Sequence, residues 1–360
     1  MTLNMETLRD APPVDHVTAP GQVSDGLVSV RDALASRLSQ LTTVRDGRFL
    51  ADLVTQWAII AAAGALAVWS GHWAIYLLAM LVIATRQHAL GILMHDGTHY
   101  RLLSNRALND AVCDYFCALP VGMTTSRYRH EHFLHHRYLN TDKDPYWVDF
   151  QRDDTWHWPK RPAAAIWVFV RDLTSLNGPR WGAVMRRWSP WINHFPSKRL
   201  RSGPPTLTGA ERTRVYLFHV AVISALALST VWWQLAMLWL LPLMTLTPAM
   251  VRLRTIGEHL AIPNRSELDA SRHTDGTWFE KLTVAPFNIN YHLDHHLFPA
   301  VPYHQLPKLH ALLLGEPTYA SNAILNRRYF GFADGMLLGQ IVGGAGNSAV
   351  PVPGTTRSPS

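Results

Sequence analysis

Residues 215–251 read VYLFHVAVISALALSTVWWQLAMLWLLPLMTLTPAMV, a stretch of 37 residues without a single Asp, Glu, Lys or Arg. One α-helical crossing of a bilayer needs about 17–25 apolar residues, so this stretch is long enough for two crossings. The cores of soluble domains seldom contain so long an uncharged run. We therefore predict a transmembrane hairpin near residues 214–251, with its turn near Trp232, Trp233 and Gln234.

A second apolar region lies closer to the N-terminus. Residues 53–68 (LVTQWAIIAAAGALAV) and 73–84 (WAIYLLAMLVIA) flank a break at residues 69–72 (WSGH). This pattern predicts another hairpin near residues 52–92. Together the two regions predict an all-α integral membrane protein with four transmembrane helices in two hairpins.

The composition excludes several other classes of protein. Charged residues make up 16% of the 360 residues, hydrophobic residues make up 48%, and the net charge is +7. This balance does not fit a disordered or fibrous chain. Cys113 and Cys117 are the two cysteines, too few for a disulfide scaffold or for a thiolate zinc or iron–sulfur site. The basic residues flank the apolar runs instead of forming one stripe, so we do not expect nucleic acid as a partner.

The positions of Lys and Arg predict the orientation in the membrane. The hairpin tips near Gly71 and Trp233 carry neither residue. The positive-inside rule then places both termini and residues 100–212 in the cytoplasm. We expect a multi-pass protein, in the inner membrane if the source is bacterial, whose basic face lies on anionic membrane lipids. The basic residues at the cytoplasmic ends are Arg45, Arg48, Arg101, Arg106, Arg212, Arg214, Arg252 and Arg254.

Three regions follow one another along the chain. Residues 1–49 are expected to form a cytoplasmic N-terminal segment by the same charge rule, and residues 1–45 contain no apolar core typical of a cleavable signal peptide. Residues 50–314 are expected to form the membrane domain. Residues 315–360 are expected to form a C-terminal tail, partly disordered because residues 343–360 (GGAGNSAVPVPGTTRSPS) have the composition of turns and disorder.

Eight of the nineteen histidines form three boxes with helical spacing. Residues three or four apart share one face of a helix, so the imidazoles of one box can meet at a metal ion. Such regular clusters do not arise from composition alone, and we interpret all eight histidines as metal ligands. The boxes are His95-Asp-Gly-Thr-His99, His132-Phe-Leu-His135-His136 and His292-Leu-Asp-His295-His296.

The type of ligand limits the choice of metal. Imidazole suits iron, zinc, copper or nickel, and eight histidines are too many for one ion but suit two. The zinc-protease signature H-E-x-x-H does not fit, because Leu134 stands where His130 and Glu131 would require a second histidine. The Glu-x-x-His pairs of soluble di-iron bundles do not occur in the sequence.

These motifs, distributed around two hairpins, resemble those of the membrane fatty acid desaturase superfamily, which also contains carotenoid ketolases and hydroxylases. The resemblance covers about residues 50–314. It is strongest in residues 288–302 (NINYHLDHHLFPAVP) and 306–310 (LPKLH). It implies a cytoplasmic helical cap on four transmembrane helices, and in that cap a site for two iron ions that alternate between Fe²⁺ and Fe³⁺.

The resemblance also implies a ninth ligand. Family members usually carry one further histidine after the last crossing, and His259 occupies that place. In animal acyl-CoA desaturases an Asn four residues earlier approaches the metal through water; Thr255 stands there in this chain. Carboxylates often orient metal-bound imidazoles, and those that adjoin the ligands are Asp96, Glu258 and Asp294. His130 lies off the face shared by the second box, so we interpret it as a non-ligand.

The activity implied by the resemblance is an oxidoreductase that uses O₂ to introduce a double bond into a fatty acyl chain or a related lipid. The sequence has no H-P-G-G motif of a fused cytochrome b5, so an external electron donor, such as a ferredoxin with its reductase, is expected. Two alternatives stay open. One is a hydroxylase or ketolase of a carotenoid or other lipid, and the other is a non-catalytic membrane metal-binding protein.

Overall fold

The computed structural model describes residues 34, 37–190 and 206–342, and these residues are mostly helical. Two short strands, β1 (His273–Thr274) and β2 (Leu325–Asn326), pair in parallel. In chain order the helices are α1 (Asp46–Ser70), α2 (Trp73–Thr98), α3 (Arg106–Cys113), α4 (Thr125–Tyr138), α5 (Pro145–Arg152), α6 (Pro162–Leu173), α7 (Gly178–Trp188), α8 (Gly209–Leu228), α9 (Trp232–Met244), α10 (Leu246–His259), α11 (Trp278–Thr283), α12 (His292–Leu297), α13 (Leu306–Leu313), α14 (Pro317–Asn322) and α15 (Leu337–Ile341).

The break predicted at residues 69–72 is where α1 ends and α2 begins. Gly71 has a φ of 63°, a conformation that glycine adopts without steric cost, and its N–H donates to the Ala67 carbonyl at 3.1 Å. The His72 ring nitrogen then accepts from the Ala74 N–H at 3.2 Å and caps α2. The two helices pack along each other over much of their length.

Polar residues inside α2 find partners in neighbouring elements. The Arg86 guanidinium donates to the Gln56 side chain on α1 at 2.7 Å and to the Leu282 carbonyl on α11 at 2.6 Å. Gln87 donates to the Trp239 carbonyl at 2.7 Å. Buried polar groups are tolerated when they are hydrogen-bonded, so α2 continues past the predicted end of the hairpin at residue 92 and reaches Thr98.

Among the described residues, three helical stretches are long and apolar enough to cross a membrane: Asp46–Ser70, Trp73–Thr98 and Trp232–His259, the last formed by α9 and α10 together. The fourth predicted crossing corresponds to α8. Its first residues include Glu211, Arg212 and Arg214, which leaves the apolar stretch at residues 215–228. That stretch is shorter than the roughly 17 residues of an untilted crossing. The fourth transmembrane helix therefore stays a prediction.

The turn of the second apolar region lies a few residues earlier than predicted, because α8 ends at Leu228 and α9 begins at Trp232. Pro242 lies inside α9 and has no N–H to donate, and the backbone breaks at Thr245 before α10. The Gln87 side chain bridges this break, since it also accepts from the Thr247 hydroxyl at 2.8 Å. After this break, α10 begins at Leu246 and ends at His259.

A buried ion pair attaches α6 to α10. Arg252 and Asp172 are each 1% exposed, and Nη2 of the guanidinium lies 3.2 Å from the carboxylate. Asp172 also accepts from the Asn177 amide at 2.7 Å and from the Trp181 indole N–H at 2.9 Å. These three side chains share one carboxylate; the further acceptors of Arg252, the Thr155 carbonyl and hydroxyl, carry no charge.

Asp172→Asn is therefore expected to destabilise the fold by about 3–5 kcal/mol, because it leaves the Arg252 charge buried without a counter-charge. The measurement is the thermal unfolding midpoint in detergent. The matched control is Asp153→Asn, which breaks a half-exposed pair with Arg180 at 3.3 Å and is expected to cost no more than about 1 kcal/mol. Equal shifts for the two variants would contradict this role of Asp172.

Residues that follow the proposed domain end at 314 still pack against the histidine-bearing region. Tyr319 on α14 is 0% exposed and its hydroxyl donates to Asp294. Tyr329, Leu337 and Ile341 are also buried and join the cluster that contains Ile256 of α10. The start of the predicted tail is thus part of the packed structure. Residues 343–360 and most of residues 1–49 lie outside the described residues.

Candidate metal centre

The nine predicted ligands come from four helices. The first box lies at the end of α2, where His95 is in the last turn and His99 is the C-terminal cap. The second box is on α4, and the third box opens the six-residue helix α12. His259 is the last residue of α10. These helix ends meet at one place, beyond the apolar parts of α2 and α10.

Five of the histidines form cluster A: His95, His99, His132, His136 and His295. Each offers one ring nitrogen, and these nitrogens all lie within 4.8 Å of one another. Three contacts between Nε2 atoms define the cluster more closely. His132 lies 2.9 Å from His99, His136 lies 3.0 Å from His132, and His295 lies 3.1 Å from His136.

The other four histidines form cluster B: His135, His259, His292 and His296. Nε2 of His292 lies 2.8 Å from Nε2 of His259 and 3.1 Å from Nε2 of His296. The His135 ring stands nearly perpendicular to the His259 ring, with centroids 4.7 Å apart. His259 therefore belongs to the same group as histidines of the second and third boxes, as its position in the sequence predicts.

The two clusters share boxes instead of using one box each. The second box gives His132 and His136 to cluster A and His135 to cluster B. The third box is divided the opposite way, with His295 in cluster A and His292 and His296 in cluster B. The clusters are adjacent, because the rings of His136 and His296 stack with centroids 4.2 Å apart. The H-x-x-H-H spacing thus serves two neighbouring sites.

The donor set fits two metal ions. Two nitrogen ligands at right angles, each about 2.1 Å from an ion, stand about 3.0 Å apart, and the contacts between Nε2 atoms match this spacing. Both ring nitrogens of His95 and the Nδ1 atoms of His132, His136, His259 and His292 are buried without a hydrogen-bond partner among the described residues. A metal ion would satisfy one nitrogen of the His95 ring, which otherwise is buried without a partner at a cost in free energy.

Burial disfavours the charged form of several of these imidazoles. Burial first, and then the charges of His135 and Arg254, lower the pKa of His295 to about 3. Burial, followed by repulsion from neighbouring imidazoles, also lowers the pKa of His132, His136, His292 and His296 well below the usual value. A neutral imidazole has a free lone pair, which is the form that binds a metal.

The residues predicted to surround the metal ligands lie close to the clusters, but not all of them contact a predicted ligand. One oxygen of Asp96 lies 3.5 Å from His95 Nδ1, and the other accepts from the Tyr303 N–H at 2.8 Å. Glu258 lies 3.5 Å from His292 Nδ1 and accepts from Arg254 Nε at 2.8 Å. Both carboxylates therefore face a box histidine. Thr255 lines the cavity described below.

Asp294 contacts residues outside the boxes. It accepts from His310 Nδ1 at 2.8 Å and from the Tyr319 hydroxyl. His273, Asp294 and His310 make a third group that could hold a metal ion. The His273 and His310 rings are stacked at 4.0 Å, however, with 24° between their planes. The hydrogen bonds of Asp294 to His310 and Tyr319 connect α12 to α13 and α14.

Sequence reasoning missed Asp144. This residue is 0% exposed, and its carboxylate accepts from His135 Nδ1 at 2.9 Å. It also accepts from the backbone N–H of Tyr146 at 2.9 Å and so caps α5. The sequence signal, an Asp directly before Pro145, indicates a helix start, but nothing in it points to His135.

Asp144→Ala is expected to weaken metal binding at cluster B by about 10–100-fold, because the carboxylate fixes the orientation of the His135 ring. Metal affinity measured by competition with a chelator is the test. Thr208→Ala is the control, since Thr208 caps α8 in the same manner and contacts no histidine of either cluster. If both variants bind the metal with similar affinity, Asp144 acts only as a helix cap.

A cavity of about 540 Å³ borders the clusters. His132, His135, His259 and His292 form part of its wall, so both clusters face it. A volume in this range is typical of sites for small molecules. The apolar residues of the wall include Met94, Val121, Phe150, Trp156, Trp181, Met185, Trp188, Leu243 and Val251.

Comparison with known proteins gives a consistent result. The family model "Fatty acid desaturase" matches residues 71–325. The dihydrorhizobitoxine desaturase of Bradyrhizobium elkanii is 26% identical over 75% of this chain and 76% of its own length. The sphingolipid delta(4)-desaturase of Drosophila melanogaster is 24% identical over 62% of this chain and 61% of its own length. The sn-1 oleoyl-lipid 12-desaturase of Synechocystis sp. is 26% identical over 61% and 62%, respectively.

Proposed function

Because this chain belongs to the fatty acid desaturase family, we propose that it is an O₂-dependent di-iron desaturase that introduces a double bond into a fatty acyl chain or a related lipid. The observation that carries the proposal is the apolar cavity whose wall includes histidines of both clusters. An acyl chain in this cavity would lie against the metal centre while water is excluded. The overall reaction converts –CH₂–CH₂–, O₂, two electrons and two protons into –CH=CH– and two water molecules.

We assign all nine histidines as iron ligands, five at cluster A and four at cluster B. Two iron ions, when bound, would activate O₂ as the oxidant for an unactivated C–H bond, a chemistry that side chains lack. The chain itself holds nine imidazoles in place and orients His135 through its hydrogen bond to Asp144. The aromatic wall, which includes Trp181 and Trp188, positions the substrate and keeps water from the reaction.

The same proposal includes the membrane arrangement. We infer four transmembrane helices in two hairpins within residues 50–314, with the histidine clusters and both termini in the cytoplasm. The supporting observations are the three apolar helices and the exposed apolar side chains on α8, where Val220, Ile223 and Leu228 are 61%, 64% and 87% exposed. Such side chains suit contact with lipid. An external electron donor supplies the two electrons.

The test is turnover by purified protein with O₂, a reductant and candidate lipids, followed by mass spectrometry of the lipids. Desaturation gives a product two mass units lighter than the substrate. A product sixteen mass units heavier would instead identify a hydroxylase, and bound metal without any O₂ consumption would identify a non-catalytic metal-binding protein.

The cavity can be tested by filling it. Gly91 lines the cavity on α2, one helical turn before His95, and a Cβ atom there would meet nothing within 4 Å. Gly91→Phe is expected to lower lipid turnover at least about tenfold while iron content stays unchanged, because the ring occupies the space of the substrate. The control is Gly47→Phe at an exposed, equally open position on α1. Full turnover by Gly91→Phe would show that the substrate lies elsewhere.

A further inference from the structure

We propose that the substrate is a lipid with a neutral hydrogen-bonding head group, such as a hydroxyl or an amide, that lies within a few carbon atoms of the bond that is oxidised. The site for this head group is a polar patch in the cavity wall, formed by Tyr128, Tyr146, Arg254, Thr255 and Glu258. The proposal rests on the proposed function and makes it specific for one class of lipid.

The polar patch lies directly beside the histidine clusters. The Tyr128 ring stacks on His132 of cluster A, with centroids 5.3 Å apart. The Tyr146 ring lies 4.7 Å from the His135 ring of cluster B, again between centroids. A head group that binds at the patch is therefore close to the metal ligands, and so are the first carbon atoms of the chain attached to it.

The Tyr146 hydroxyl has an unused capacity for hydrogen bonding. Its oxygen is buried and makes no hydrogen bond of normal geometry with another described residue, although the Tyr128 hydroxyl is close to it. A buried hydroxyl without a partner costs free energy. A head group that donates to this oxygen or accepts from it removes that cost, whereas a wholly apolar chain leaves it in place.

Other buried polar groups of the cavity wall already have protein partners. Gln87 donates to a backbone carbonyl at 2.7 Å, and His88 Nε2 lies 2.9 Å from another. Asp149 is paired with Arg187. Hydrogen bonds to the substrate are therefore expected at the polar patch and not at these residues.

The charges of the patch favour a neutral head group. Arg254 Nε donates to Glu258 at 2.8 Å, and the two side chains are 14% and 2% exposed. Their charges compensate each other. A carboxylate, phosphate or ammonium group beside this pair would bring a third charge without a counter-charge, which is costly away from water. A hydroxyl or an amide can hydrogen-bond to the same side chains without that cost.

The apolar part of the wall accommodates the hydrocarbon chain. Met94, Leu243 and Val251 line the cavity, and they belong to helical stretches that are long and apolar enough to cross a membrane. The lipid can therefore bind with its head group at the polar patch and its chain along these helices.

The experiment measures lipid binding by native mass spectrometry of iron-loaded protein in detergent, without reductant, so that no lipid is turned over. Three test lipids with the same chain of eighteen carbon atoms compete for the protein. The first is N-acetyl-2-aminooctadecane-1,3-diol, which carries an amide and two hydroxyls. The second is octadecanoate, which carries a carboxylate, and the third is octadecane, which has no polar group.

The main variant is Tyr146→Phe, which keeps the ring beside His135 and removes only the hydroxyl. Tyr128→Phe, on another helix, is a second variant. The control is Tyr138→Phe, because Tyr138 is the half-buried last residue of α4 and lies outside the cavity wall.

The wild type is expected to bind the diol amide at least about tenfold more tightly than octadecanoate or octadecane. Tyr146→Phe should lower the preference for the diol amide over octadecane about fivefold, the effect of losing one hydrogen bond. Tyr128→Phe should lower it as well, and Tyr138→Phe should keep the wild-type ratio. Equal binding of the three lipids by the wild type, tighter binding of octadecanoate, or an unchanged ratio in both cavity variants would overturn the proposal.

The proposed function fails in a different way. If the wild type prefers the diol amide but leaves it unchanged when O₂ and a reductant are added, the desaturase assignment is wrong and the head-group site stands. If the diol amide is desaturated, the new double bond should lie within the first few carbon atoms beyond the hydroxyls, as located by mass spectrometry after ozonolysis. A double bond in the middle of the chain would overturn the proposal while the desaturase assignment holds.

Discussion

His259→Ala is expected to remove the iron of cluster B and to lower turnover by at least about 100-fold. Removing a side chain that only orients a metal ligand already lowers metal affinity or activity about 10–100-fold. Removing the ligand itself has a larger effect. His259 is 4% exposed, and its Nε2 lies 2.8 Å from that of His292. Iron per chain and turnover of the purified variant are the measurements. We expect about half of the wild-type iron, because cluster A keeps its five histidines.

The control for this variant is His130→Ala. His130 is half-buried on α4, next to the second box, yet it belongs to neither cluster. This variant should keep wild-type iron content and most of its turnover. If His130→Ala were inactive and His259→Ala were active, the assignment of the ninth ligand would be wrong, although membership in the family would stand.

Gly97→Ala is expected to cause the second largest loss, in both activity and iron content. Gly97 lies between His95 and His99, and a Cβ atom there would stand 2.5 Å from Cys113 Sγ and 3.1 Å from Leu102 Cδ1. Both neighbours are buried and have little room to move. The end of α2 must therefore shift, and the shift displaces both histidines of the first box. Metal analysis and turnover of the purified variant measure the effect.

A second change should rescue this variant. Cys113→Ala removes the nearest atom, so Gly97→Ala with Cys113→Ala is expected to recover more iron than Gly97→Ala alone. Gly64→Ala on α1 is the control, because a Cβ atom there meets nothing within 4 Å and alanine favours the helix. If Gly97→Ala keeps the wild-type iron content, the claim that a Cβ atom at this position displaces the histidines of the first box is wrong.

Much of the candidate site could be predicted from the sequence, because the spacing of its histidines along the chain matches the period of a helix. The H-x-x-H-H pattern places imidazoles along a helix, and α4 and α12 are indeed helical at these positions. The apolar runs likewise predicted α1, α2 and the stretch from Trp232 to His259. The two hydrophobic runs and Gly71 between them were sufficient to predict α1, α2 and the turn that joins them.

The division of the boxes between two clusters could not be predicted from spacing. Residues at i, i+3 and i+4 share a face only approximately, and the packing of α4 against α2, α10 and α12 decides which imidazole turns toward which partner. His135 and His136 are neighbours in sequence yet belong to different clusters. The role of Asp144 could not be predicted for a similar reason. Its contact with His135 depends on the loop between α4 and α5, which has no periodic signal.

The central claim is that this chain holds two irons with nitrogen ligands, and metal analysis of the purified protein combined with X-ray absorption spectroscopy tests it most directly. We expect close to two irons per chain, bound by nitrogen and oxygen with no sulfur ligand, because nine imidazoles and neither cysteine belong to the two clusters. One tightly held zinc ion per chain and no iron would contradict the claim.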